Sequence, residues 1–241
     1  MHYKIEKEAS EFRAKYGFAN FDPIRLKSLL LKLNVITLFK PLSENFSGMA
    51  VKVENARFML INSNHSLGRQ HFSISHELYH LFIQENFTPH HCSAGTFNRK
   101  DSTEYQADLF AAHLLMPKEG IISLIPDHEL GKDKISLETI LKVEHYFSCS
   151  RNALLVRFKE LGLISSSTIN NFKSDIILSA RKYGYDDSLY RPGNKDVVIG
   201  DFGSLAKRLF DKEKISEGHY LELMNSIGFD ALTNTNADEI N

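Results

Sequence analysis

A chain of 241 residues, 42% of them hydrophobic and 24% charged, can bury one good core with an appendage, or two small domains. Its formal net charge of −1 gives no global pull toward nucleic acid or an anionic membrane. The charged start lacks the apolar core of a signal peptide, no apolar run approaches the ~20 residues of a membrane span, and Cys92 and Cys149 make no disulfide framework. A cytoplasmic location without a membrane partner is therefore expected.

Ile5, Ala9, Phe12 and Tyr16 are spaced as one stripe and predict a helix over residues 3–17. Asp22 and Pro23 read as the N-cap and first residue of a second helix running through Leu33. Residues 35–39 form a short strand rich in β-branched side chains. Residues 48–53 and 57–62 form a hairpin about the polar turn Glu54-Asn55, and a loop over 63–68 leads into the next helix.

That helix, over residues 70–82, carries His76-Glu77-Leu78-Tyr79-His80. Two histidines four apart share one helical face and can hold a zinc ion through neutral imidazoles. Glu77 can lean over the open side of the metal and take a proton from a water that the zinc has acidified. Phe72, Ser75, Leu78, Tyr79 and Phe82 give a mostly apolar stripe, so the helix is expected to be buried, where two histidines and a glutamate would be costly without partners. A second helix, over 102–115 and stopped by Pro117, carries Glu104 and Asp108, again four apart. Alone, these carboxylates read as a solvated acidic face. Beside the first motif, Glu104 becomes the third ligand, and Asp108 the acceptor that fixes a histidine tautomer. Ala107, Ala111 and Ala112 are small enough for the two helices to pack closely.

The pair H-E-L-Y-H and E-Y-Q-A-D-L-F-A-A-H-L-L-M-P resembles the ImmA/IrrE family of gluzincin-like zinc metallopeptidases. The specific likeness covers roughly residues 50–120 and continues more weakly through Ile164. The resemblance maps the family's H-E-x-x-H onto His76, Glu77 and His80 and its following glutamate onto Glu104. Tyr79 stands where the family often has glycine. Asp108 stands where the family has asparagine or aspartate. The resemblance implies a zinc or manganese cofactor, and a strand near Leu60, Ile61 and Asn62 whose edge takes up an extended substrate. The implied substrate is a helix-turn-helix transcriptional repressor or antitoxin, cut once after stress, DNA damage or phage. The resemblance also admits single-stranded DNA as an activator, although the sequence has no basic-aromatic stripe to bind it.

Between the two metal helices, residues 86–95 read as a loop holding His90, His91 and Cys92. Cys92 is either an incidental thiol or a ligand that takes the metal's open position and keeps the enzyme latent. Helices over 136–146 and 150–161 resemble a helix-turn-helix, but Glu138, Glu144 and Glu160 offset Arg151, Arg157 and Lys159. A scaffold or repressor-docking role is therefore expected rather than base reading. The oxyanion donor is left open among His113, Tyr105, His71 and Tyr79, although nine residues of helix put His113 on the face opposite Glu104.

The expected fold is α+β: a small twisted sheet with the metal helices packed on it. The expected division is a peptidase core over 1–134, a helical unit over 135–164, a helical module for substrate or signal recognition over 165–232, and a tail over 233–241. The expected function is zinc-dependent peptide hydrolysis. The alternative is a non-hydrolytic scaffold that sequesters a repressor or binds DNA through residues 136–161.

Overall fold

The computed structural model describes residues 2–54, 56–85, 91–92, 94–95, 97 and 101–229. The expectations for residues 86–90 and for the 233–241 tail lie outside the described residues. In chain order the elements are α1 (His2–Lys15), α2 (Leu26–Lys32), β1 (Val35–Lys40), β2 (Gly48–Val53), β3 (Ala56–Asn62), α3 (Leu67–Phe82), β4 (His91–Cys92) and α4 (Ser102–Leu115). Then follow α5 (Lys118–Leu124), α6 (Leu137–Phe147), α7 (Arg151–Glu160), α8 (Ser166–Asn171), α9 (Ile176–Lys182), β5 (Val198–Ile199), α10 (Phe202–Asp211) and α11 (Glu217–Ser226). The fold is α+β, as expected. Among the described residues, no helix is long and apolar enough to cross a membrane.

The strands form one mixed sheet in the order β4-β2-β3-β1-β5. The hairpin of β2 and β3 is antiparallel, with Gly48 opposite Ile61, and β1 runs parallel to β3 from Val35↔Arg57 to Lys40↔Asn62. The segment expected to be purely helical also contributes to the sheet. Its β5 pairs antiparallel with β1, Ile199 opposite Thr37, and Asp196 binds Lys40 at 2.9 Å. Asp22 does not cap a helix. Its carboxylate accepts the Ala19 N–H at 2.9 Å and is spent on the preceding turn, so α2 starts only at Leu26.

α3 is the centre of the molecule. From Gly68 to Leu81 every residue but Arg69 and His71 is buried, the helix being held between the sheet, α4 and the α6–α7 turn, with His71 bonded to the Ser148 carbonyl at 2.7 Å. At Gly68 that turn comes so close that a Cβ would sit 2.8 Å from Ser150 N and 3.0 Å from Cys149 C, both rigid backbone atoms. Gln70, fully buried, donates to the His65 and Gly193 carbonyls at 2.7 and 3.0 Å and so ties two loops to the start of the helix. Ala107, Ala111 and Ala112 are buried on α4, which packs against both α3 and α1. A helix clamped on several sides holds its side chains in fixed rotamers, which a metal site requires.

Candidate metal centre

One turn of α3 separates His76 from His80, and their Nε2 atoms lie 3.1 Å apart. Asp101 caps α4 through the N–H groups of Thr103 and Glu104, at 3.1 and 3.2 Å, and so starts the helix at the residue that faces them. Glu104 Oε2 is 3.2 Å from His76 Nε2, and Oε1 is 3.2 Å from His80 Nε2. β4 brings Cys92 Sγ to 3.7 Å from His80 Nε2 and 3.9 Å from Glu104 Oε1. The ligand atoms of all four residues lie within 4.8 Å of one another. Tetrahedral bonds of roughly 2.0–2.3 Å place ligand atoms about 3.3–3.6 Å apart, so this donor set is close to the size a zinc ion needs.

The outer nitrogen of each imidazole is also engaged. His76 Nδ1 meets Asp108 Oδ1 at 2.9 Å, and His80 Nδ1 meets Gln84 Oε1 at 2.6 Å. With Nδ1–H donated outward, Nε2 is left as the electron pair turned to the group. Asp108 is buried, and it also accepts the N–H groups of Gly95 and Phe97 at 2.7 and 2.6 Å. Gln84 was missed in the sequence, although its place four residues after His80 on the same helical face was a legible signal. Without a metal, burial opposes protonation of His76, but its bonds to Asp108, Cys92 and Glu104 prevail and hold its pKa well above the usual value, so a metal at Nε2 would displace a proton there. Burial pushes the Cys92 thiol far up.

Glu77 is 0% exposed, and neither of its oxygens meets an N–H or O–H donor. Burial raises its pKa against the pull of His76 and His80. The start of β2 passes directly over it, since a Cβ on Gly48 would sit 3.0 Å from Glu77 Oε1. Only the weak donor of the Cys92 thiol is in reach, and a carboxyl buried with no N–H or O–H donor is costly to keep. Such a group has a use other than folding.

Leu60, Ile61 and Asn62 do not offer an edge. They lie in β3, which is hydrogen-bonded to β2 on one side and to β1 on the other. The Asn62 side chain is also spent, donating to the Ser43 and Phe46 carbonyls at 2.8 Å each and accepting from Leu42 N at 3.0 Å. The strand beside α3 with an outer side is β2.

The four oxyanion candidates are engaged elsewhere. Tyr79 donates to Gln106 at 2.8 Å, Tyr105 meets His2 at 3.2 Å, and His71 bonds the α6–α7 turn. Burial, and secondly Arg157 at 3.0 Å, lower the pKa of His113 to about 3. An unfolded histidine takes a proton near pH 6.5 that this one refuses. Its contribution is therefore complete above that pH and is lost as pH falls toward 3, at up to ~1.4 kcal/mol per unit. Between pH 6.5 and 5 the wild type should lose about 1.6 kcal/mol of stability that His113→Gln does not lose. Urea midpoints measured at both pH values would show it, and parallel slopes would count against it.

The helical unit of α6 and α7 presents little of its expected basic charge. Arg151 is buried against Glu144, which also accepts the Tyr190 hydroxyl at 2.7 Å. Arg157 is buried and donates to the Met116 carbonyl at 3.2 Å. Of the three basic residues noted there, only Lys159 reaches solvent, which is a poor basis for reading a duplex.

The family model described as an IrrE N-terminal-like domain, of the M78 peptidases, matches residues 32–159. That is more than half of the chain, and it includes every residue of the donor group. A search of curated proteins returns no match. With two histidines, a glutamate and a buried second glutamate gathered inside the matched stretch, the chain belongs to the IrrE N-terminal-like family of M78 peptidases.

Proposed function

We propose that the chain is a metal-dependent endopeptidase in which His76, His80 and Glu104 hold zinc and Glu77 is the general base. Manganese is compatible with the same nitrogen and carboxylate donors. The observation that carries this reading is the donor group of His76, His80, Glu104 and Cys92 beside a buried carboxylate that no N–H or O–H donor satisfies. A metal there would polarise the scissile carbonyl and acidify the attacking water. Glu77 takes the proton of that water and passes it to the leaving amine, a role for which a carboxylate raised above its usual pKa is better matched. Asp108 and Gln84 fix the two imidazoles with Nε2 turned inward.

The family resemblance supports a helix-turn-helix repressor or antitoxin as substrate, cut in an exposed linker so that repression is relieved. The test is to incubate the protein with the repressor encoded nearest to it, with and without a chelator. One cut is expected, lost on chelation and restored by zinc or manganese. Cleavage indifferent to chelation would refute the reading, as would no cleavage by metal-loaded Cys92→Ala.

A further inference from the structure

We propose that the cavity between α3, α7 and α9 is a binding site for a small amphipathic anion, an apolar body with one anionic head, and that Arg69 holds the head. The cavity has a volume of about 540 Å³, within the ~300–1,000 Å³ range of small-molecule sites. None of the donor group lines it, so it is separate from the metal centre. Phe72, Phe97 and Ala153 form one side and belong to the stretch that the family model matches. Ile176, Ile177 and Tyr190 form the other side and lie beyond that stretch, so the shared domain alone does not build the cavity.

The walls specify the body. Phe72 and Ala153 are buried, while Phe97, Ile176 and Ile177 are half-buried around the hollow. The wall at Phe97 is fixed, because Asp108 accepts its N–H and that of Gly95. A hollow lined by such side chains forgoes the contacts that closing it would give, and an apolar occupant restores them. Charge specifies the head. Arg151 at the wall is buried and already matched by Glu144, which also accepts the Tyr190 hydroxyl at 2.7 Å. Arg69 is not matched in this way. It is half-buried, and among the described residues its guanidinium makes one hydrogen bond, to Ser47 Oγ at 3.5 Å, and no salt bridge. Burial lowers its pKa against the through-space pull of Glu44. A guanidinium carries five N–H donors in a planar fork, so most of those on Arg69 remain for an anion at the cavity wall.

Two dyes with the same body test this: 8-anilinonaphthalene-1-sulfonate, which carries an anionic head, and N-phenyl-1-naphthylamine, which carries none. Both brighten in apolar surroundings, so each can be titrated into the full chain by fluorescence. The sulfonate should bind the wild type saturably. Arg69→Met should weaken it by about tenfold or more, the worth of a hydrogen bond to a charged group, and leave the neutral dye unchanged. Ile177→Trp fills the cavity from α9 and should weaken both dyes. Leu209→Lys is the control for the other exposed apolar groove, between α10 and the sheet, and should change neither. The absence of saturable sulfonate binding by the wild type would overturn the proposal. So would a sulfonate affinity that Arg69→Met leaves unchanged, or dye binding lost in Leu209→Lys and kept in Ile177→Trp. Melting curves show which variants fold, and the Ile177 and Leu209 pair decides the site even if Arg69→Met does not. The titrations involve neither metal nor hydrolysis, so they stand apart from the peptidase reading.

Discussion

Glu77→Gln is expected to lower peptide hydrolysis by about 10²–10⁴-fold, the usual contribution of a positioned general base, while leaving metal content and fold intact. Glutamine keeps the shape but cannot take a proton from the attacking water. The same change should raise thermal stability. The wild-type carboxylate is fully buried without N–H or O–H donors, and a neutral amide is less costly to keep there. Opposite signs for activity and stability mark a group kept for chemistry. A non-hydrolytic scaffold has no use for such a residue, and on that reading the variant would be more stable and fully functional. The comparison belongs in both the wild-type and the Cys92→Ala backgrounds, so that a closed site does not mask the loss. Single-turnover cleavage, metal content and a melting curve suffice. An active Glu77→Gln would exclude it as the base.

What could be read in the sequence was whatever one helix carries by itself. His76 and His80, and again Glu104 and Asp108, are pairs at a spacing of four, so their shared faces follow from helical period alone. The burial of α4 was legible from Ala107, Ala111 and Ala112. The substrate edge was not. The hairpin of β2 and β3 could be read, but β1 joins β3 by a parallel pairing that leaves no local pattern, and it turns Leu60–Asn62 into interior positions. β4 is two residues long, too short for any alternation to appear, so Cys92 could be seen as a nearby thiol but not as part of a strand. Arg151 and Arg157 looked like surface charge because their partners are distant in sequence. Glu144 with Tyr190, and the Met116 carbonyl, take them into the interior.

Asp108 should be the most sensitive residue outside the donor group. Its removal in Asp108→Ala is expected to weaken metal binding 10–100-fold, the usual cost of losing the acceptor behind a ligating histidine. It should also cost on the order of 2–3 kcal/mol of stability, since hydrogen bonds to a carboxylate are the stronger kind. Asp108→Asn should do nearly as badly, and the geometry says why. Oδ1 accepts from His76 and from Gly95 N, while Oδ2 accepts from Phe97 N. An amide has one acceptor oxygen, so in either orientation its NH₂ faces an N–H that the carboxylate used to bind. A residue important only for its volume would tolerate the change. Competition with a chromophoric chelator gives the affinity, and an Asp108→Asn equal to wild type would refute the argument. Gly95 and Phe97 follow Cys92 closely in the chain, so one carboxylate anchors both the metal helix and the stretch after β4.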